Sequence, residues 1–126
     1  MNPVIAAADY HVLKTAILKL PNEMKTKEIG QLIEEFENGN IHIVSDDKIT
    51  PDVIRLNSYF ETEEEKTKRV LKFTLTLPHH ANLAQKKISV LSPLAIALIG
   101  FKEGMTVDCA LPVGTKKMKI TKVVNP

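Results

Sequence analysis

KKISVLSPLAIALIGFKEGMTVDCALPVGTKKMKITKVV, residues Lys86–Val124, is the stretch that decides the fold. Lys87–Leu91 is strand-like. Ser92-Pro93 then opens a short helix, with Ser92 placed to cap it and Pro93 pre-set at its first position by a fixed φ. Leu94–Ile99 is apolar all round, so this helix has to be buried against a sheet. Gly100 closes it. Thr106–Leu111 and Lys117–Val124 follow as two strands, joined by Pro112-Val113-Gly114-Thr115. Cys109 falls in the alternating stretch as a small core residue.

Working back towards the start, Pro78-His79-His80-Ala81-Asn82 is a loop. Val70, Leu71, Phe73, Leu75 and Leu77 mark a strand, the last four in strict alternation. Thr62–Thr67 is a charged turn, and Ile54–Glu61 a further strand. Thr50-Pro51-Asp52 is set to begin a brief helical turn capped by Thr50. Ser45-Asp46-Asp47-Lys48 is turn chemistry after an extended Ile41–Val44. Runs of strand around one buried helix imply an α+β fold with an antiparallel sheet.

The first segment is helical. Tyr10, Leu13, Ile17 and Leu20 form one stripe on a helix over Ala8–Leu20, ended by Pro21. A second helix, about Lys25–Glu37, carries Ile29, Leu32, Ile33 and Phe36 on one face and stops at Asn38-Gly39. The expected organisation is a short N-terminal helical hairpin over residues 1–45 and a sheet domain over residues 46–126. Helices this short are marginal alone in water, so their stripes must pack elsewhere, which leaves room for a weak homodimer.

Hydrophobic residues make up 44% of the 126, enough for a core, but aromatics only 5%, so Leu, Ile and Val build it. No apolar run approaches the roughly 18 residues of a membrane span. The opening MNPVIAAADYH lacks the basic and apolar regions of a signal peptide. A single cysteine suits a reducing cytoplasm. The net charge of +2 hides an asymmetry: residues 1–45 hold four Lys against six acids, residues 46–126 thirteen Lys and Arg against nine acids. So basic a C-terminal part invites an acidic partner, protein or nucleic acid, or serves solubility alone.

The series Ile88-Ser89-Val90-Leu91-Ser92-Pro93-Leu94, Ala97-Leu98-Ile99-Gly100, Gly104, Leu111-Pro112 and Gly114 resembles the C-terminal signature of the bacterial Gre transcription factors. Asp52–Ser58 is similar to the phrase that leads into the first strand of that domain. The resemblance covers about residues 51–124 and is nearest to the group named regulator of nucleoside diphosphate kinase. It implies an FKBP-like antiparallel sheet wrapped on one short helix, and docking at the rim of the RNA polymerase secondary channel. The docking residues it carries over are Leu91, Ser92 and Pro93, although Gre factors usually have Asp or Asn where Leu91 stands.

Gre factors also carry a long coiled coil whose acidic tip helps hold a catalytic magnesium ion in the polymerase. Here the first helix would span only about 20 Å. Its tip, Asn22 and Glu23, offers one carboxylate, and a magnesium site needs more oxygen ligands than that. The resemblance therefore implies a polymerase-binding regulator that does not stimulate transcript cleavage and is not itself an enzyme. The alternatives are a Gre factor retaining some cleavage stimulation and a basic nucleic-acid-binding module.

The basic patch of that last alternative is Lys116, Lys117, Lys119 and Lys122, with no stacking aromatics interleaved. Other constellations carry less. His79-His80 in an extended loop would point apart, and His42, Asp46 and Asp47 match no oxygen-cage loop, so neither a metal nor a cofactor is expected. The run Glu61, Glu63, Glu64 and Glu65 reads as a solvated turn with loose ion pairs. Ser92 has no base beside it. Prolyl isomerases share the FKBP-type fold but line their pocket with several aromatics, whereas this domain has only Tyr59, Phe60, Phe73 and Phe101.

Overall fold

The computed structural model describes residues 4–19, 23, 27, 29, 30, 34, 42–111 and 113–126. Leu20, Asn22 and most of the expected second helix lie outside them.

The chain begins with a strand, β1 (Val4–Ala6), that runs directly into helix α1 (Ala7–Leu18). On α1, Leu13 and Ile17 of the expected stripe are buried, and each such side chain contributes roughly 1.5–3 kcal/mol by leaving water. β1 pairs in parallel with β2 (His42–Val44), Val4 opposite His42. The Val4 N–H donates to the Gly100 carbonyl at 3.0 Å, which ties the first strand to the chain just past the Pro93–Leu98 helix.

The main sheet holds β3 (Tyr59–Glu64), β4 (Val70–Thr76), β5 (Lys87–Ser89), β6 (Thr106–Leu111) and β7 (Gly114–Val124), in the order β5-β4-β3-β7-β6. Four of the strands run antiparallel, as expected; β5 joins β4 in parallel, Thr74–Thr76 against Lys87–Ser89. Helix α2 (Pro93–Leu98) packs on β6, with Ala95 and Leu98 buried and Leu94, Ile96 and Ala97 half-buried. The fold is α+β. Its core gathers Phe60, Leu75, Val90, Leu98, Met118 and Ile120 with Leu13, Ile17 and Ile29 into one cluster, so the N-terminal helix shares the core of the sheet.

Several expected boundaries move: β7 begins at Gly114 rather than Lys117, and β5 ends at Ser89 rather than Leu91. The strand expected over Ile54–Glu61 runs instead from Tyr59 to Glu64, because Val53 and Ile54 pair with the Gly100–Lys102 segment and the chain turns at Asn57. Ile54 N–H donates to Phe101 O at 2.9 Å and Gly100 N–H to Ile54 O at 2.9 Å, while Asn57 turns the chain with φ 71°. The helical turn expected at Thr50 is a plain turn, in which the Thr50 hydroxyl bonds the Asp52 carboxylate rather than a helix N–H.

Near Glu61 the β3–β7 ladder slips by one residue: Glu61 faces Lys122 and Thr62 faces Ile120. Thr121 is the extra residue of this bulge, and its hydroxyl donates to the Glu61 carbonyl at 3.1 Å.

Candidate functional site

The turn from β5 into α2 is built around Ser89. Its Oγ accepts from Leu91 N–H at 3.0 Å, and its carbonyl accepts both the Ser92 N–H at 3.0 Å and the Ser92 Oγ–H at 2.7 Å. Val90 N–H donates to Thr76 O at 2.8 Å and anchors the turn to β4. Four hydrogen bonds thus converge on a five-residue turn, which holds Ser92 extended (φ −71°, ψ 153°) and sets Pro93 at the first helical position. Ser92 was expected to cap α2 by accepting from the helix. Its hydroxyl instead donates backwards to Ser89, and no side-chain cap bond forms.

Exposure divides the three expected docking residues. Leu91 is 9% exposed and belongs to the core, whereas Ser92 and Pro93 are half-exposed at the surface. An apolar residue at position 91 therefore faces inward, leaving Ser92 and Pro93 as the presented pair. Ser89 was not singled out in the sequence, yet it shapes the turn; the Ser-x-x-Ser spacing ahead of a proline is the signal that marks it. Of the expected hairpin tip, Glu23 is exposed and Asn22 lies outside the described residues.

The four lysines of the expected basic patch do not act as one surface. Lys117, Lys119 and Lys122 are exposed, and register sets each against a carboxylate: Asp108 opposite Lys117, Glu63 opposite Lys119, Glu61 opposite Lys122. Opposite charges across neighbouring strands attract, so this face is mixed rather than uniformly positive. Glu61 also accepts the Tyr59 hydroxyl at 2.7 Å, a bond that pushes the phenol's pKa up.

Lys116 turns to the other face and pairs with Glu64 at 3.1 Å. Glu64 was expected in a solvated turn; it sits at the end of β3, 9% exposed. The Thr67 hydroxyl, at 2.7 Å, and then the Lys116 ammonium hold its carboxyl below the usual glutamate range.

Pro78–His80 forms a turn of 3-10 helix rather than an extended loop, which brings the exposed His79 and His80 rings to 4.1 Å between centroids instead of apart. Among the described residues no three His, Cys, Asp or Glu side chains gather as metal ligands, and no helix is long and apolar enough to cross a membrane.

The turn and the sheet around it fall within one matched region. Residues 48–125 fit the family model described as transcription elongation factor, GreA/GreB, C-terminal. The chain belongs to the GreA/GreB transcription elongation factor family. Relatives of this Gre-family chain include transcription elongation factor GreA of Bradyrhizobium diazoefficiens, 31% identical over 117 residues, which are 92% of this chain and 69% of the relative. GreA of Nitrobacter hamburgensis is 30% identical with the same coverage.

In three dimensions, a GreA/GreB elongation factor from Nitrosomonas europaea aligns with a TM-score of 0.76 at 23% identity, over 99% of both chains. GreA factor homolog 1 of Thermus thermophilus aligns with a TM-score of 0.52 at 17% identity, over 99% of this chain and 100% of that one. These two likenesses speak for the fold.

Proposed function

We propose that this Gre-family chain binds RNA polymerase at the rim of the secondary channel through the Ser92–Pro93 turn and regulates transcription without stimulating transcript cleavage. The observation that carries this reading is the Ser89-centred turn. It holds two half-exposed residues in a fixed geometry, at the place where the sequence resembles the family's docking phrase. A contact surface fixed before binding loses little entropy on docking.

The N-terminal segment supports the second half of the proposal. Helix α1 has 12 residues, about 18 Å at a rise of ~1.5 Å each. Glu23, exposed, is the one acid of the expected tip, too few oxygen donors for a cation held among substrate and water. On this reading the chain is no enzyme, acts in the cytoplasm where polymerase works, and competes with true cleavage factors. It sits with the short-hairpin group named regulator of nucleoside diphosphate kinase. The paired charges on β7 weigh against the alternative of a nucleic-acid-binding module.

The test is a pull-down with core RNA polymerase, comparing the wild type with Ser92→Glu and Pro93→Glu, each checked for native circular dichroism. Retention of the wild type and loss of both folded variants is expected. Equal retention of all three would remove the turn from the contact. In a cleavage assay on backtracked complexes the protein is expected to leave transcripts intact, and rapid magnesium-dependent shortening would restore the cleavage-factor reading.

A further inference from the structure

β4 is only partly covered on the side away from β3. β5 pairs with Thr74–Thr76 and nothing further, so Val70–Phe73 has no strand on that side among the described residues. Leu75 exchanges hydrogen bonds with the β3 side, its N–H donating to Ser58 O at 2.9 Å and its carbonyl accepting from Asn57 N–H at 2.7 Å. Backbone groups alternate along a strand, so Leu71 and Phe73 also face β3, and Val70, Lys72 and Thr74 face outward. The Thr74 N–H is taken by Lys86 O at 2.8 Å. Among the described residues, the N–H and C=O of Val70 and Lys72 remain as an open edge.

The charged side chains that line that edge are all basic. A groove of about 270 Å³ is lined by Arg69, Val70, Leu71, Lys72, Phe73 and Lys86: three cations over an apolar floor, with no carboxylate in the lining. Val70 is 50% exposed, a large apolar side chain held in water. Glu61 and Glu63 lie one strand inward, opposite Lys72 and Val70.

We infer that this open edge of β4 is a docking site for an extended acidic segment of a protein partner, which joins the sheet as an added strand. Strand addition takes affinity from main-chain hydrogen bonds and specificity from the alternating side chains. A second copy of this chain is a poor occupant, because its own edge would bring Arg69, Lys72 and Lys86 against the same cations. A nucleic-acid strand answers the charge but not the edge: its phosphates accept hydrogen bonds, and the Val70 and Lys72 carbonyls need donors. An acidic peptide supplies N–H, C=O and negative charge together, with acids on the face that carries Lys72 and apolar residues on the opposite face beside Leu71 and Phe73.

The experiment titrates the full isotope-labelled chain with a synthetic peptide of about eight residues alternating Glu with Val, long enough to form one strand. Saturable binding is expected, with amide shifts centred on Val70 and Lys72. Arg69→Glu/Lys72→Glu, both exposed positions, is expected to weaken it by about tenfold or more. A peptide N-methylated at alternate residues is expected to lose binding, as is one with Lys in place of Glu. Pro93→Glu is expected to bind the peptide normally, which separates this site from the polymerase-docking turn. Absence of saturable binding, equal binding of the N-methylated peptide, shifts mapped away from β4, or equal competition by a single-stranded oligonucleotide would each overturn the inference.

Discussion

Asp9 and Arg55 join the N-terminal helix to the sheet domain: Arg55 Nε donates to Asp9 Oδ2 at 3.0 Å, with Asp9 only 8% exposed. The same Arg55 gives its backbone N–H to Ser58 Oγ at 2.7 Å, and Ser58 in turn donates to the Asn125 side chain. A line of polar contacts thus runs from α1 to the end of β7. Removing a carboxylate from such a place leaves a partly buried guanidinium nitrogen unpaired. Asp9→Ala is expected to lower stability by about 1.5–3 kcal/mol, the usual worth of a hydrogen bond to a charged group. Chemical denaturation should register this as a lower midpoint at unchanged slope.

Glu64 should give the protein an acid-sensitive component of stability. Its native pKa is lowered by Thr67 and Lys116, so its contribution is complete above the ordinary glutamate value and is lost as pH falls through the lowered native value. Glu64→Gln, which keeps the shape and loses the charge, is expected to flatten that part of the stability–pH curve. Denaturation midpoints measured from neutral pH into the acid range check the slope.

Thr62 faces the core beside the bulge, fully buried, and its hydroxyl has no hydrogen-bond partner among the described residues. Valine has nearly the same shape without the polar atom. Thr62→Val is expected to stabilise the fold by about 1 kcal/mol or more, since an unmet buried donor costs roughly 1–3 kcal/mol. A thermal melt that falls rather than rises would show that the hydroxyl is satisfied in solution.

Cys109 is fully buried on β6, and burial pushes its thiol up to about 11. At pH 8 only about one thiol in a thousand would be ionised even if reagent reached it. The native protein is expected to resist a thiol-specific reagent and to react fully in denaturant. Rapid labelling of the folded chain would mean that β6 opens readily.

Where local pattern alone decides, the sequence was legible. Alternation in Val70–Leu77 and Thr106–Leu111 marked β4 and β6, and Ser92-Pro93 through Gly100 marked α2. β1 has no local signature, because three residues carry no period and its partner His42–Val44 lies far along the chain. Ser92 showed where a helix begins, but its spacing could not reveal that the hydroxyl donates back to Ser89 rather than accepting from the helix. The lysines of β7 looked like a patch because the sequence shows one strand at a time. Only the register of β3 and β6 set Glu61, Glu63 and Asp108 among them. Likewise, Glu64 could be told from its acidic neighbours only once Lys116, 52 positions away, was brought to its side.

The strand order carries a consequence for synthesis. β7 lies between β3 and β6, so the sheet is completed only by the last of its five strands to be made. A ribosome building this protein releases β3 and β6 before the strand that joins them exists, and β1 must wait for Gly100 before its first N–H is met. The growing chain can form hairpins and helices but cannot close its core until residues 114–124 have emerged. A chain interrupted before residue 114 would keep β5, β4 and β3 as a three-stranded sheet but leave β6 a lone strand with no neighbour to pair with.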